Sequence, residues 1–178
     1  MKQFLRSFLT LLMLVVWCSG FAASGDIFTL VTAESELKAG DVIIIVNQTA
    51  KKALSTEQRD SNRGACAITI SGKNVTKADN AQEITLEGAS GAWYFNVGNG
   101  YLYAASSSYN HLKTQTKKDD NSKAQITFSS SSATIKFLGE NSRNLLKYNS
   151  SSRIFSCYNK GQSAVAIYKK NLLRLPQP

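Results

Sequence analysis

The chain has 178 residues, of which 43% are hydrophobic and 19% are charged, a composition typical of a globular protein and not of a disordered one. Its 21 Lys and Arg exceed its 12 Asp and Glu, so the formal charge is +9. One His and three Cys leave little material for a metal site or for His-dependent catalysis. We therefore expect a single basic domain that is not an enzyme and needs no cofactor or metal.

The first 23 residues have the layout of a secretory signal peptide. Lys2 and Arg6 precede an apolar stretch over 8–17, and small residues follow it. The apolar stretch is too short to span a membrane, and no other segment is long enough. The sequence thus predicts a signal peptide over 1–23, a domain over 24–170 and a C-terminal tail over 171–178. It also predicts export to the extracellular space, the cell surface or the periplasm, with no transmembrane segment.

The rest of the chain is a series of short apolar or alternating segments bounded by Gly, Asn, Asp or Ser, which is typical of strands. The predicted strands cover 27–31, 42–46, 67–70, 84–86, 93–97, 101–104, 126–128, 134–138, 144–148, 154–158 and 164–168. The one helical signal runs over 34–39, is ended by Gly40, and is long enough for one or two turns. The pattern predicts an all-β protein.

An internal repeat refines this prediction. Leu102 and Leu145 are 43 positions apart, as are Leu112 and Phe155, and a looser copy precedes both. Three copies of a four-strand unit indicate a β-trefoil-like closed barrel with three pseudo-repeats. The alternative is a β-sandwich or another β-barrel. The first copy is longer than the others, and we expect its excess in the polar stretch over 71–80.

Alternation within the predicted strands also selects a core, because every second side chain of a strand faces the same side. The expected core residues are Trp93, Phe95, Ile135, Phe137, Leu145, Phe155 and Ile167.

Four segments resemble a known kind of module. They are Phe-Thr-Leu-Val at 28–31, Leu-Lys-Ala-Gly-Asp at 37–41, Gly-Tyr-Leu-Tyr-Ala-Ala-Ser at 100–106 and Ile-Phe-Ser-Cys-Tyr at 154–158. They are similar to an uncharacterised all-β accessory module that recurs in secreted proteins of Bacteroidetes, beside endonuclease, hydrolase or cell-surface domains. The resemblance covers roughly 27–169. It implies an accessory role and assigns no catalytic residue.

Two cysteines, Cys66 and Cys157, remain once a signal peptide is removed. An oxidising compartment permits a disulfide between them, and closing a loop of ~90 residues would stabilise the fold by roughly 4 kcal/mol. The alternative is that both are small buried side chains on strands.

Two loops at matching positions of the repeat carry the residue types of a sugar site. The candidate ligand-binding residues are Tyr103, Tyr109 and Asn110 in one loop, and Tyr148, Asn149 and Arg153 in the other. A sugar has an apolar C–H face and a rim of hydroxyl groups, so an aromatic ring beside amide and guanidinium groups suits it. The alternative is that these residues only form hairpin turns.

The basic excess is either a solvated face or a surface for polyanions such as acidic polysaccharides. No motif of a specific nucleic-acid-binding module is visible. The sequence thus predicts a secreted, non-catalytic binding module that recognises glycans or other extracellular polyanions. Two alternatives stay open: a protein-interaction or inhibitor-like structural module, and an accessory domain of a secreted hydrolase or nuclease system.

Overall fold

A computed structural model describes residues 26–171 of the chain. The predicted signal peptide over 1–23 lies outside the described residues, as does the predicted tail except for Asn171. The described region is built from strands and one 3-10 turn, Glu34–Glu36. None of its residues belongs to a helix long and apolar enough to cross a bilayer.

The fold is all-β, as predicted, and every pair of neighbouring strands runs antiparallel. The strands are β1 Ile27–Leu30, β2 Val42–Asn47, β3 Lys52–Gln58, β4 Arg63–Ala67, β5 Thr69–Ser71, β6 Asn74–Thr76, β7 Ile84–Ala89, β8 Ala92–Asn96, β9 Tyr101–Ala104, β10 Leu112–Gln115, β11 Lys123–Ser129, β12 Ser132–Phe137, β13 Leu145–Asn149, β14 Ile154–Tyr158 and β15 Ala166–Lys170.

The pairing of neighbouring strands forms a closed circuit that begins and ends at β2. Strand β2 pairs with β7, β7 with β8, β8 with β11 and β11 with β12. A bridge between Ala133 and Val165 joins β12 to the segment before β15, and β15 pairs with β2. Three hairpins, β3–β4, β9–β10 and β13–β14, extend from this circuit.

The main core is formed by side chains of this circuit together with side chains of the three hairpins. Six of the seven predicted core residues are buried in it, and Phe95, Ile135, Phe137, Phe155 and Ile167 have no exposed surface. The exception is Leu145, which is half-buried, while its neighbour Leu146 is fully buried. The prediction for Leu145 was wrong by one residue because β13 turns Leu146 and Tyr148 inward.

A second, smaller core explains why β2 does not alternate in sequence. Ile43 and Ile45 belong to the main core, whereas Ile44 and Val46 face the second core with Phe28. All four β2 side chains are completely buried. A strand covered on both faces reads as a continuous apolar run.

The second face of β2 is closed in part by the short β5–β6 hairpin. Strands β5 and β6 pair with each other, and β6 also pairs with β1. This hairpin begins at Thr69 and reaches into the polar stretch over 71–80, where the excess length of the first copy was expected. Val75 is its fully buried anchor in the second core.

The two cysteines of the described region are free and buried. Cys66 lies in the second core and Cys157 in the main core. The register of β4 against β14 pairs Gly64 with Ile154, which offsets the two cysteines by about five residues, or roughly 15 Å. A disulfide needs Cα atoms within about 7 Å. The structure therefore corrects the disulfide alternative and places both thiols as buried strand side chains.

Candidate ligand-binding site

Tyr109 is the most exposed large hydrophobic side chain of residues 26–171, at 67%. It lies in the loop over 105–111, which joins β9 to β10. Its ring stacks on the imidazole of His111, with centroids 5.6 Å apart and planes inclined by 17°. The Ser106 hydroxyl accepts hydrogen bonds of 3.1 Å from the N–H groups of Ser108 and Tyr109. The loop's own bonds thus hold an aromatic platform toward solvent.

The loop rests on the outward face of β13 and β14. The Asn110 side-chain oxygen accepts a 2.8 Å hydrogen bond from Nη1 of Arg143, and the Asn110 carbonyl accepts a 2.6 Å bond from the Ser156 hydroxyl. Ser156 has no exposed surface, since this contact covers it. Lys147 is the cross-strand partner of Ser156 and faces the same side. Arg143 and Lys147 therefore flank the loop that carries Tyr109.

A second set of bonds ties the same loop to the segment before β13. The Ser107 hydroxyl donates to Oδ1 of Asn141 at 3.1 Å and accepts from the Ser142 N–H at 3.1 Å. Nδ2 of Asn141 donates to the Ala104 carbonyl at 2.8 Å. These polar groups form a shelf beside the platform, and its oxygens keep lone pairs that could accept hydrogen bonds from hydroxyl groups of a ligand.

The charge around this shelf is one-sided. Residues 124–165 contain one acidic side chain, Glu140, and five basic ones: Lys136, Arg143, Lys147, Arg153 and Lys160. None of these five takes part in the ion pairs of the described chain. Elsewhere in the described chain the picture is mixed: Lys118, Lys123 and Lys170 are each paired with a carboxylate, whereas Lys73, Lys113 and Lys117 are not. Residues 124–165 thus carry five basic side chains without an ion pair and a single acidic one.

Tyr148 does not belong to a surface site, contrary to the sequence prediction. It is 2% exposed, and its ring packs 5.0 Å from that of Phe155 in the main core. The alternation of β13 turns Tyr148 inward together with Leu146. Tyr103 lies on the outward face of β9, half-buried, opposite Lys113.

Asn149 and Arg153 form the turn between β13 and β14. The Asn149 side-chain oxygen accepts a 3.0 Å bond from the Ser152 N–H, and its Nδ2 donates to the Tyr158 hydroxyl at 3.2 Å. Arg153 is exposed and has a φ of 53°, the left-handed conformation that closes a tight turn. Within residues 26–171, no hydrogen bond joins this turn to the loop over 105–111. The two matching loops therefore do not form two equal sites, and Tyr109 and Asn110 are the predicted residues that remain together.

Sequence reasoning missed Arg143 and Lys147, and gave His111 no part in the platform. Lys147 could have been found, because it alternates with the buried Leu146 and Tyr148. Arg143 could not, since its contact with Asn110 spans 33 positions between two loops.

The side chains at the platform are suited to binding a ligand. Its ring offers an apolar face, its shelf offers neutral hydrogen-bonding groups, and its two flanking side chains offer positive charge. Among residues 26–171, no group of three or more His, Cys, Asp and Glu side chains is placed to hold a metal ion.

No protein-family model and no curated protein matches the chain. Its fold is similar to that of solved structures of lysenin. A crystal structure of the lysenin pore matches with a TM-score of 0.52 and 14% identity, over 79% of this chain and 49% of that one. A complex of lysenin with phosphocholine matches with a TM-score of 0.51 and 15% identity, over 83% and 49% respectively. The chain spans about half the length of these proteins, and at this identity the likeness concerns the fold alone.

Proposed function

We propose that this chain is an exported, non-catalytic binding module that recognises glycans, and acidic glycans above neutral ones. The observation that carries the proposal is the exposure of Tyr109, 67%, on a loop that is otherwise held by hydrogen bonds. A ring that is left in water on an ordered loop is a prepared contact surface, because little conformational entropy remains to be lost when a ligand stacks on it. Its stacking partner His111 stiffens it further.

The groups beside the ring match the rest of a sugar. The side-chain oxygens of Ser107, Ser142 and Asn141 lie on the shelf, and their remaining lone pairs can accept hydrogen bonds from sugar hydroxyls. Specific sites of this kind combine an apolar surface with a few placed polar groups.

The preference for acidic glycans rests on Arg143 and Lys147. Both flank the loop of Tyr109, and neither is neutralised by a carboxylate within the described chain. A carboxylate or sulfate on a sugar would therefore gain attraction that a neutral sugar lacks. This part of the affinity should weaken with salt, since the two side chains are partly solvated.

A direct test is a screen of the secreted protein against neutral and acidic glycans at two salt concentrations. The proposal expects acidic glycans among the strongest ligands and a partial loss of their binding at high salt. Retention of some neutral-sugar binding at high salt separates a stacked site from charge alone. Absence of any glycan ligand would favour the protein-interaction module instead.

We also propose that the all-β fold is a β-trefoil with three pseudo-repeats, over 42–89, 92–129 and 132–170. Three features of the pairing support this. In each unit, the first strand pairs with the second and the second with the third. The fourth strand of each unit, namely β7, β11 or β15, pairs with the first strand of the next. An experimental structure in which the three units superpose about one axis would test it.

The registers also suggest which residues correspond. Val46 pairs with Ala53, Asn96 with Tyr101 and Lys136 with Leu145. One position further along the second strands lie Leu54, Leu102 and Leu146, all of which are completely buried. This alignment pairs Leu102 with Leu146, one residue beyond the Leu145 that the 43-residue spacing selected.

A further inference from the structure

An aromatic cage surrounds an ammonium group on the outward face of β8 and β9. The Lys118 Nζ lies 5.3 Å from the ring centroid of Tyr94 and 5.1 Å from that of Tyr101. The two rings meet edge to face, with centroids 6.1 Å apart and planes inclined by 72°. Both distances fall within the range over which the face of a ring attracts a cation.

The carboxylate of Glu87 closes the cage on a third side. It lies 2.5 Å from the Lys118 Nζ, and it accepts hydrogen bonds from Nδ2 of Asn96 at 2.7 Å and from the Tyr101 hydroxyl at 3.2 Å. These contacts, that of Lys118 first, lower the pKa of Glu87, so the carboxylate is ionised near neutral pH. The cage therefore combines two π faces with a fixed negative charge.

The walls of the cage are rigid, whereas its occupant is not. Glu87 is the cross-strand partner of Tyr94, and Asn96 is that of Tyr101, so ladder pairing fixes all four positions. Lys118 instead belongs to the segment between β10 and β11, and 44% of its side chain is exposed. A flexible four-carbon stem carries its charge into the cage.

We propose that Tyr94, Tyr101 and Glu87 form a binding site for a quaternary ammonium group, and that Lys118 is the exchangeable occupant of that site. We further propose that the ligand is a zwitterion. Its anionic group pairs with the ammonium of Lys118 after that ammonium has left the cage. This site is separate from the glycan platform, because it uses the outward face of the strands and not the loop over 105–111.

The charge balance selects a zwitterion over a simple cation. A simple cation must expel Lys118 and leave that ammonium without its carboxylate and its two rings. The ammonium group of a zwitterion takes the place of the Lys118 ammonium in the cage, and its anionic group pairs with the displaced Lys118. No charge is then left unpaired. A trimethylated nitrogen has no N–H group, and it therefore depends on ring faces and a nearby carboxylate, which are the walls present here.

The test is a titration of the whole protein with glycine betaine and with choline, which share the trimethylammonium group but differ in the anion. The unmodified protein should bind betaine more tightly than choline. Lys118→Ala should tighten choline binding by about fivefold, since the built-in competitor is gone, and should abolish the preference for betaine. Tyr101→Leu should weaken both ligands, whereas Tyr109→Ala, at the glycan platform, should change neither.

Vesicles distinguish a free solute from a headgroup fixed on a surface. If the protein binds vesicles whose lipids carry a trimethylammonium headgroup, and Tyr101→Leu does not, the cage binds a ligand fixed on a surface. If the protein binds betaine but not these vesicles, the ligand of the cage is a free solute. The proposal is overturned if the unmodified protein and Lys118→Ala both bind none of these probes. It is also overturned if Tyr101→Leu, with an unchanged melting temperature, binds them as well as the unmodified protein. Either failure leaves glycan binding at Tyr109 unaffected, so the two proposals fail separately.

Discussion

Nη1 of Arg143 donates a 2.8 Å hydrogen bond to Oδ1 of Asn110, joining the segment between β12 and β13 to the loop of the β9–β10 hairpin. Because Asn110 is the neighbour of Tyr109, this bond helps to set where the aromatic platform stands relative to β13 and β14. The contact therefore links the packing of the third hairpin to the geometry of the proposed site.

Removing this bond should affect binding more than folding. Asn110→Ala should lower the free energy of unfolding by about 1 kcal/mol or less, because the side chain is exposed. Asn110→Ala should weaken the binding of neutral and acidic glycans alike, since the Tyr109 ring loses the support of this hydrogen bond. Asn110→Asp keeps an acceptor for Arg143 and should restore neutral-glycan binding, but not acidic-glycan binding, because its charge neutralises Arg143. Calorimetric titration with one neutral and one acidic ligand measures both effects.

Substitutions in the main core should affect folding more than binding. Phe95 and Phe155 have no exposed surface and lie in the main core. Phe95→Ala and Phe155→Ala should each lower the free energy of unfolding by roughly 3 to 5 kcal/mol, because each leaves a cavity. Tyr148→Ala should fall in the same range, whereas Tyr109→Ala should cost less than about 0.5 kcal/mol. Urea denaturation gives these values, and a small loss at Phe155 would contradict the inward direction of β14.

The sequence was sufficient for the class of fold, because strand alternation is local. The buried set of Trp93, Phe95, Ile135 and Phe155 followed from which residues alternate. The one-residue error at Leu145 has the same origin: spacing between copies cannot reveal how a neighbouring strand sets the register. Only the pairing of Lys136 with Leu145 does that.

The candidate site was predicted in part for a related reason. Tyr109 and Asn110 could be selected by residue type and by their place between two strands. The burial of Tyr148 could not be separated from the exposure of Tyr109 by residue type, since Tyr148 comes directly before a polar loop and Tyr109 lies within one of similar composition. The difference comes from chain position: Tyr148 is still within β13, whereas Tyr109 lies five residues beyond the end of β9.

Acid should weaken the contact that anchors the 3-10 turn. Oε1 of Glu34 accepts hydrogen bonds from the Gly91 N–H at 3.0 Å and from Nε1 of Trp93 at 2.8 Å. Desolvation raises the pKa of Glu34, but these two bonds and one from Ser90 outweigh it, and the pKa lies below its ordinary value. A carboxylate with a lowered folded-state pKa stabilises the protein above its unfolded pKa, and this stabilisation is lost as the pH falls through the folded value.

The variant Glu34→Gln isolates this effect, since it keeps an acceptor and removes the charge. It should be less stable than the unmodified protein at pH 7, and the difference should shrink as the pH is lowered toward 3. Urea denaturation at several pH values measures it. A difference that stays constant with pH would show that the charge of Glu34 contributes nothing.

Both described cysteines should behave as inert thiols. Burial raises the pKa of Cys66 and of Cys157, so neither is a reactive thiolate near neutral pH. A thiol-alkylating reagent should modify neither residue in the folded protein, and should modify both after denaturation without a reducing agent. Peptide mapping by mass spectrometry reads out each site. Recovery of a peptide that links Cys66 to Cys157 would contradict the positions of β4 and β14.

Loss of charge beside the platform should act on acidic ligands only. Lys147→Gln should weaken the affinity for an acidic glycan severalfold at low salt and leave the affinity for a neutral glycan unchanged. Lys73→Gln, in the exposed turn of the β5–β6 hairpin, removes the same charge far from the platform and serves as the control. Equal losses in the two variants would mean that net charge, and not a site, attracts the ligand.

Tyr109 is the proposed sugar-binding ring, and titration of Tyr109→Ala with the strongest glycan from the screen measures its contribution. Leu138→Ala, which truncates another exposed apolar side chain, is the matched control. We expect Tyr109→Ala to weaken glycan binding at least about tenfold with a nearly unchanged melting temperature, and Leu138→Ala to bind normally. Unchanged glycan affinity in Tyr109→Ala, or an early melting transition that accounts for its lost binding, would contradict it.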